Sequence, residues 1–268
     1  IMQKQLLSQQ EKMTKRSQLK EIAQETVELS QKGEYEADGH VFQIKLGESL
    51  LIKENDQMPH LDGNVAKKCN PAISVKRVDV VEEIISSPGC ACLVFASARH
   101  PGGGFLNGAM AQEEQICYCS NLYQSLIEHQ LDFYDYHENL RSKFYTSRMI
   151  QSENHVFRSG DYQFIEPVPV TFVTCASVNQ GLLKSEADRA QGEVESQKRI
   201  KRICCQLGSK HYKKVILGAF GCGVFKNNPS FIAEQFKQNL RYLDCDEVVF
   251  AIKGRDEQMV SAFEQVFK

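Results

Sequence analysis

From Gln18 to Gln31 the apolar residues Leu19, Ile22, Ala23, Val27 and Leu29 recur at near-helical spacing, and Gly33 supplies a stop. The residues before them, 1–17, are polar and read as a helical arm leading into a single domain over 18–268. Val41 to Lys45 alternates as an edge strand does. Cys92 to Ala96 (CLVFA) is a short continuous apolar run, the pattern of a strand buried on both faces. A helix is expected from Gln112 to about Gln130. The segment from Tyr134 to Pro169 is aromatic and turn-rich, which predicts loops and short strands over the core. Val170 to Cys175 resumes a strand. Glu186 to Leu207 reads as a long helix with Ala187, Ala190, Val194, Ile200, Ile203, Cys204 and Leu207 on or near one stripe. Strands alternating with helices, without repeats, predict an α/β fold.

Composition narrows the class. With 268 residues, 42% hydrophobic and 25% charged, the chain can bury one sizeable core. A net charge of −2 without a long Lys/Arg tract argues against duplex nucleic acid as a partner. No run approaches the ~18 to 20 apolar residues of a membrane span, and the first residues are polar rather than signal-like. A soluble cytoplasmic protein, expected to be a monomer, follows. Ten cysteines in a chain of this size are expected to be reduced. Cys90 and Cys92 alternate along an apolar run and Cys204 and Cys205 fall in a helical pattern. Neither pair has a second pair at zinc-binding spacing, so no metal is expected.

The chemistry concentrates in HPGGGFLNGAMAQEE, from His100 to Glu114. Gly102, Gly103 and Gly104 strip the loop of side chains, so backbone N–H groups can approach a phosphate or ribose closely and the chain can take positive φ. After a spacer of seven residues, Gln112 is followed by Glu113 and Glu114 at the start of a helix. Acids are common in a first helical turn because they complement the helix dipole. Their position beside a bare loop is what suggests proton transfer to a bound phosphosugar. Adjacent helical residues point about 100° apart, so one acid can face a scissile bond while its neighbour turns to another part of the sugar.

A second glycine junction, VILGAFGCGVFKNNP from Val215 to Pro229, has the order strand, glycine loop, helix start. Asn228 and Pro229 make a plausible cap and first helical residue. The loop lacks the GK[ST] ending of a P-loop and the GxGxxG spacing of a dinucleotide fingerprint. Either loop alone reads as a tight turn. Two of them after buried strands suggest an anion seat.

Together these residues resemble the bacterial-type poly(ADP-ribose) glycohydrolases, a macrodomain-like family with a GGG…QEE signature. The resemblance runs from about Gln18 to the end, through SARHPGGGFLNGAMAQEE, SNLY at Ser120 to Tyr123, VTFVTCASVN and GAFGCGVFKNNP. It implies a three-layer α/β/α mixed sheet with an N-terminal helical extension. It also implies exo-type hydrolysis of ribose–ribose bonds in poly(ADP-ribose), releasing ADP-ribose without a cofactor. Glu114 matches the family's catalytic acid, Glu113 the partner that holds ribose hydroxyls, and Gln112 the residue bracing the catalytic loop. Gly221, Cys222, Gly223 and Val224 match the diphosphate loop, and Phe225 an aromatic that orients the terminal ribose. Ser97 stands where such folds often carry an asparagine that contacts the distal ribose, and a serine has a shorter reach. No aromatic can be matched to an adenine-stacking position. Three other readings stay open: a hydrolase of ADP-ribosylated protein, a non-catalytic ADP-ribose-binding module, and a thiol hydrolase using Cys222. The last would need a histidine base that no motif provides.

Overall fold

The structure, a computed structural model, describes residues 2–59, 70–254 and 256–268, and for residues 2–14 it describes the backbone. A seven-stranded sheet organises the chain. In chain order its strands are β3 (Ser49–Ile52), β4 (Ala72–Lys76), β5 (Cys90–Ala96), β6 (Met149–Arg158), β7 (Phe164–Ala176), β8 (Tyr212–Leu217) and β9 (Cys245–Ala251). Across the sheet they run β3-β6-β7-β5-β8-β9-β4. The strands from β7 to β4 are mutually parallel, whereas β3, β6 and β7 pair antiparallel. β1 (Glu34–Ala37) and β2 (His40–Gln43) form a separate hairpin, so the expected edge strand at Val41 belongs to no part of the main sheet.

Helices cover both faces. Cys90, Cys92 and Val94 of β5 pack with Leu19 and Ala23 of α1 (Met2–Lys32), Val81 and Ile84 of α2 (Val80–Ile85), Ile116 of α3 (Gln112–Cys119) and Leu126 of α4 (Leu122–Glu128). Ala91 and Leu93, which point the other way as period-two alternation requires, pack with Ile200 and Ile203 of α6 (Glu186–Leu207). The same layer includes Ile232 of α7 (Pro229–Asn239) and Val260 of α8 (Glu257–Phe267). Both faces of β5 are therefore dry, as its apolar run implies. This is a three-layer α/β/α mixed sheet.

Several boundaries match the reading of the sequence. α6 spans the expected residues and is capped by Ser185, whose Oγ accepts the Asp188 N–H at 3.0 Å. α7 starts at Pro229 with Asn228 accepting the Phe231 N–H at 3.1 Å. α1 continues through residue 17 as one helix.

Other expectations are corrected. The Gln112–Gln130 helix is two, because Ser120 takes an extended conformation (φ −144°, ψ 171°) and its backbone bridges Val156 of β6. Through residue 199 the buried positions of α6 are Gly192, Ser196 and Arg199, whereas Ala187, Ala190 and Val194 are exposed. Arg199 is the reason: its guanidinium donates to the Ala176 carbonyl at 2.8 Å and the Phe144 carbonyl at 2.9 Å, turning that polar face inward. Tyr134–Pro169 contains the short helix α5 (Asp135–Asn139), all of β6 and the first half of β7, the sheet's two longest strands.

Nine of the ten cysteines lie among the described residues, and all nine are buried. Among the described residues no helix is long and apolar enough to cross a membrane.

Candidate active site

Parallel pairing places the carboxyl ends of β7, β5, β8 and β9 along one edge of the sheet. The chain passes from β5 to β7 on one side and then crosses to β8 on the other. Such a switch point leaves a crevice between diverging loops, the usual ligand position in parallel α/β sheets. A cavity of about 850 Å³ occupies it, walled by residues that follow each of these strands: Ser97, Gly103 and Gly104 after β5, Ser177 after β7, Gly221, Gly223, Val224 and Phe225 after β8, and Ile252 after β9. That volume lies in the range of small-molecule sites and suits one nucleotide-sized unit.

The triplet loop is shaped by its glycines. Gly102 (φ 66°) and Gly103 (φ 60°) are both left-handed. A Cβ on Gly103 would lie 2.4 Å from Glu114 Oε1, so only hydrogen fits between loop and acid. The chain then makes a 3₁₀ turn over Phe105–Asn107 and enters α3 through Ala111, which offers no side-chain cap.

The first three residues of α3 reach back to that loop instead. β8 pairs with β5 only at Ala91–Val215 and Cys92–Ile216, leaving the end of β5 without a neighbour on that side. The Gln112 amide fills the gap: its Oε1 accepts the Phe95 N–H and its Nε2 donates to the Leu93 carbonyl, both at 2.8 Å. Gln112 thus acts as a one-residue strand, fastening α3 to β5. Glu113 Oε2 accepts the Ser97 N–H at 2.6 Å, and Glu114 Oε1 accepts the Gly104 N–H at 2.8 Å. The two carboxyls are held by different parts of the loop, as their angular separation on the helix requires.

Both acids are buried, at 3% and 8% exposure, yet both line the cavity. Burial pushes the Glu113 carboxyl well above the ordinary carboxylate value, opposed by the Ser97 and Gly102 N–H groups and reinforced by the charge of Glu114. Its Oε1 is buried and has no hydrogen-bond partner among the described residues. This leaves one polar atom, adjacent to Glu114, for a ligand hydroxyl.

A pH-dependent stability follows. A carboxyl whose folded pKa is raised contributes stability that is complete below the unfolded value, about 4.5, and is lost as pH rises toward the folded value. Glu113→Gln keeps the acceptor for Ser97 and abolishes this loss. Its melting temperature should match the wild type near pH 4.5 and exceed it increasingly at higher pH, by up to about 1.4 kcal/mol of stability per pH unit. Parallel melting curves across pH would refute the assignment.

The opposite wall is built from the second glycine loop. Gly221 (φ 71°) packs so closely that a Cβ would lie 2.2 Å from Ser177 Oγ and 2.6 Å from Asn227 Nδ2. Asn227, 3% exposed, donates to the carbonyls of Val178 at 2.8 Å and Gly221 at 3.0 Å and thereby holds the loop against β7. The N–H groups of Gly223, Val224 and Phe225 have no internal acceptor among the described residues, so they are available to an anion.

Of the expected site residues, Ser97, Gly103, Gly104, Gln112, Glu113, Glu114, Gly221, Gly223, Val224 and Phe225 meet on this cavity. Gly102 and Cys222 lie behind its wall. Gly102 packs on Tyr123 and Cys117, while Cys222 belongs to the core with its Sγ 3.7 Å from the Phe220 carbonyl. Burial pushes the Cys222 thiol up to about 12, far from a working nucleophile.

Two features were not read from the sequence. Asn227 had no signal, because its partners lie 6 and 49 residues away. The apolar end of the cavity, formed by Val80, Ala251, Ile252 and Met259, assembles from three separate elements.

The model of the microbial-type PARG catalytic domain matches residues 23–159, which contain the triplet loop and both acids. The chain belongs to this family. It is similar to poly(ADP-ribose) glycohydrolase from Thermomonospora curvata, solved bound to the inhibitor ADP-HPD. The two share 30% identity and a TM-score of 0.79, over 93% of this chain and 99% of that one. It is also similar to poly(ADP-ribose) glycohydrolase from Deinococcus radiodurans in complex with ADP-ribose, with 26% identity and a TM-score of 0.70, over 82% of this chain and 94% of that one. No curated protein matches the chain. The match to the PARG catalytic-domain family thus rests on the family model and on solved structures that span nearly the whole fold.

Proposed function

We propose that this chain hydrolyses the ribose–ribose O-glycosidic bond of poly(ADP-ribose), releasing ADP-ribose from the chain end. The observation that carries the reading is the Glu114 carboxyl, held at 2.8 Å by the Gly104 N–H on the wall of a nucleotide-sized cavity. One oxygen is anchored and the other is left to face the bond. The free N–H groups of Gly223 to Phe225 take the diphosphate, and the apolar end of the cavity takes the base. Glu113 Oε1 and Ser97 receive ribose hydroxyls.

The chemistry then needs a single acid. Glu114 passes its proton to the departing ribose oxygen as the C–O bond breaks. Positive charge grows at the anomeric carbon, where the substrate's own diphosphate stabilises it. Water attacks that carbon, and the Glu114 carboxylate takes the water's proton, which restores the acid. Two flanking carboxyls of the usual glycosidase kind sit about 5 to 9.5 Å apart on opposite sides of the bond. Glu113 and Glu114 are adjacent on one helix and engage the same loop, which favours the one-acid scheme. The buried free thiols of Cys90, Cys92, Cys117, Cys119, Cys175, Cys204, Cys205 and Cys222 support a reducing, cytoplasmic setting, and we read the chain as a monomer.

Incubating the wild type with poly(ADP-ribose) and, separately, with mono-ADP-ribosylated protein tests the reading. Free ADP-ribose should accumulate from the polymer. Release from neither substrate would overturn the proposal, and release from the mono-modified protein alone would make the chain an acceptor hydrolase.

A further inference from the structure

The N-terminal half of α1 is oppositely charged to the rest of a chain whose net charge is −2. Up to residue 20 it carries Lys4, Lys12, Lys15, Arg16 and Lys20 against Glu11 alone, and acids return at Glu21, Glu25 and Glu28. Positions 16 and 20 lie one turn apart on one stripe of the helix with position 15 beside it, spanning about 7.5 Å at 1.5 Å per residue. The second half of α1 fixes the helix in place. Leu19 and Ala23 are buried, Thr26 Oγ1 donates to the Tyr118 carbonyl at 3.1 Å, and Glu25 pairs with Arg158. Lys15, Arg16 and Lys20 remain exposed.

The basic stripe meets the cavity at its rim. Arg16 Nε donates to the Asn107 carbonyl at 2.8 Å, and Asn107 lines the cavity. The backbones are in contact there, since a Cβ on Gly108 would lie 2.5 Å from the Arg16 carbonyl oxygen. Asn107 ends the 3₁₀ turn that begins one residue after Gly104, the group that anchors Glu114. The rim beside the acid is therefore the rim beside Arg16. The cavity has room for one terminal unit, so the polymer beyond the scissile bond must leave past Glu114. Leu106, 46% exposed on the same turn, gives that exit an apolar footing.

We propose that the exposed Lys15, Arg16 and Lys20 of α1 form a phosphate-binding rail for the part of the polymer that remains outside the cavity. The polymer's identity rests on the glycohydrolase reading, but the rail itself requires only a flexible polyanion leaving at this rim. Its contribution is electrostatic and counterion-driven. It should grow with chain length and fade with salt. Acting on the chain still to be cut, it would keep the enzyme on one polymer between successive cleavages.

The test compares the full chain with its Lys15→Glu/Lys20→Glu variant, which leaves the Arg16 contact in place. kcat/KM is measured on polymer of about twenty units and on the two-unit substrate, at low and high salt. For the long polymer at low salt the variant should lose about tenfold, with a shallower salt dependence, and the difference should close at high salt. For the two-unit substrate it should stay within about twofold of wild type. Equal losses on both lengths would make the helix a mere support of the catalytic loop, and no loss on the long polymer would leave the stripe without a role; either overturns the proposal. Binding of labelled long polymer is measured in parallel by anisotropy in a Glu114→Gln background. If the wild type hydrolyses nothing, the glycohydrolase reading fails by itself, and a length-dependent binding loss in the variant still decides for or against the rail.

Discussion

Glu114→Gln is expected to lower kcat on poly(ADP-ribose) by about 10³- to 10⁴-fold while leaving ADP-ribose affinity within about threefold. The substitution is nearly isosteric. Its amide oxygen can still accept the Gly104 N–H that Glu114 Oε1 accepts at 2.8 Å, so the loop keeps its shape. What it loses is the exchangeable proton. General acid–base catalysis by one positioned group commonly contributes 10²- to 10⁴-fold, and the upper part applies here because no second carboxyl flanks the bond. Glu113 cannot substitute, since its Oε2 is committed to Ser97 on another part of the loop. Single-turnover release of ADP-ribose, with product affinity measured by calorimetry, separates chemistry from binding. A variant within tenfold of wild-type turnover would remove Glu114 from its role.

Gly103→Ala should reduce kcat/KM by at least about 10²-fold, a larger effect than its change in chemistry suggests. The new methyl carbon would sit 2.4 Å from Glu114 Oε1 and 3.2 Å from Glu113 Oε2. Neither carboxyl can withdraw cheaply, because each already accepts a backbone hydrogen bond from the loop. An alanine at φ 60° adds roughly 1–2 kcal/mol of backbone strain, which corresponds to a fall of about 2–8 °C in melting temperature. The protein should therefore fold with a misplaced acid. Gly89→Ala is the matched control. Its φ of 78° carries the same backbone strain, but a Cβ there meets nothing within 4 Å and the residue lies away from the cavity, so its activity should stay within about threefold. Comparable activity in the two variants would show that the triplet loop does not position Glu114 sterically.

The site was legible where its causes are local. A glycine triplet permits a side-chain-free loop whatever surrounds it, and two acids at a helix start diverge wherever that helix is placed. β5 was equally legible, because a strand dry on both faces must be apolar throughout. β6 was not. Ser152 and Asn154 on it are buried polar residues, and their partners lie on α4 and just before it. Asn154 Nδ2 donates to Ser125 Oγ at 2.9 Å and to Asn121 Oδ1 at 3.2 Å, and Ser152 Oγ donates to Asn154 Oδ1 at 2.7 Å. Such a network erases the apolar alternation that marks a strand while satisfying every group within it. The first half of β7, up to Pro169, was hidden by Pro167 and Pro169, whereas its second half matches the strand expected at Val170 to Cys175. Pairing with β5 begins only at Val170, so both prolines sit where β7 is an edge strand on that side, and a missing N–H costs nothing there.

By itself, the sequence determined the α/β class, the two glycine loops, the bounds of α6, the cap of α7 and the candidate acid, because each depends on neighbours within a helical turn or a strand repeat. Tertiary structure alone decided that Gln112 completes the ladder of β5, that Glu113 keeps one buried oxygen free, that Asn227 clamps the second glycine loop, and that the basic stretch of α1 meets the rim of the cavity at Arg16. Each of these joins residues far apart in the chain, up to 91 positions in the case of Arg16 and Asn107. Local periodicity carries no information about such pairs, since only the packing of the layers brings them within hydrogen-bonding distance.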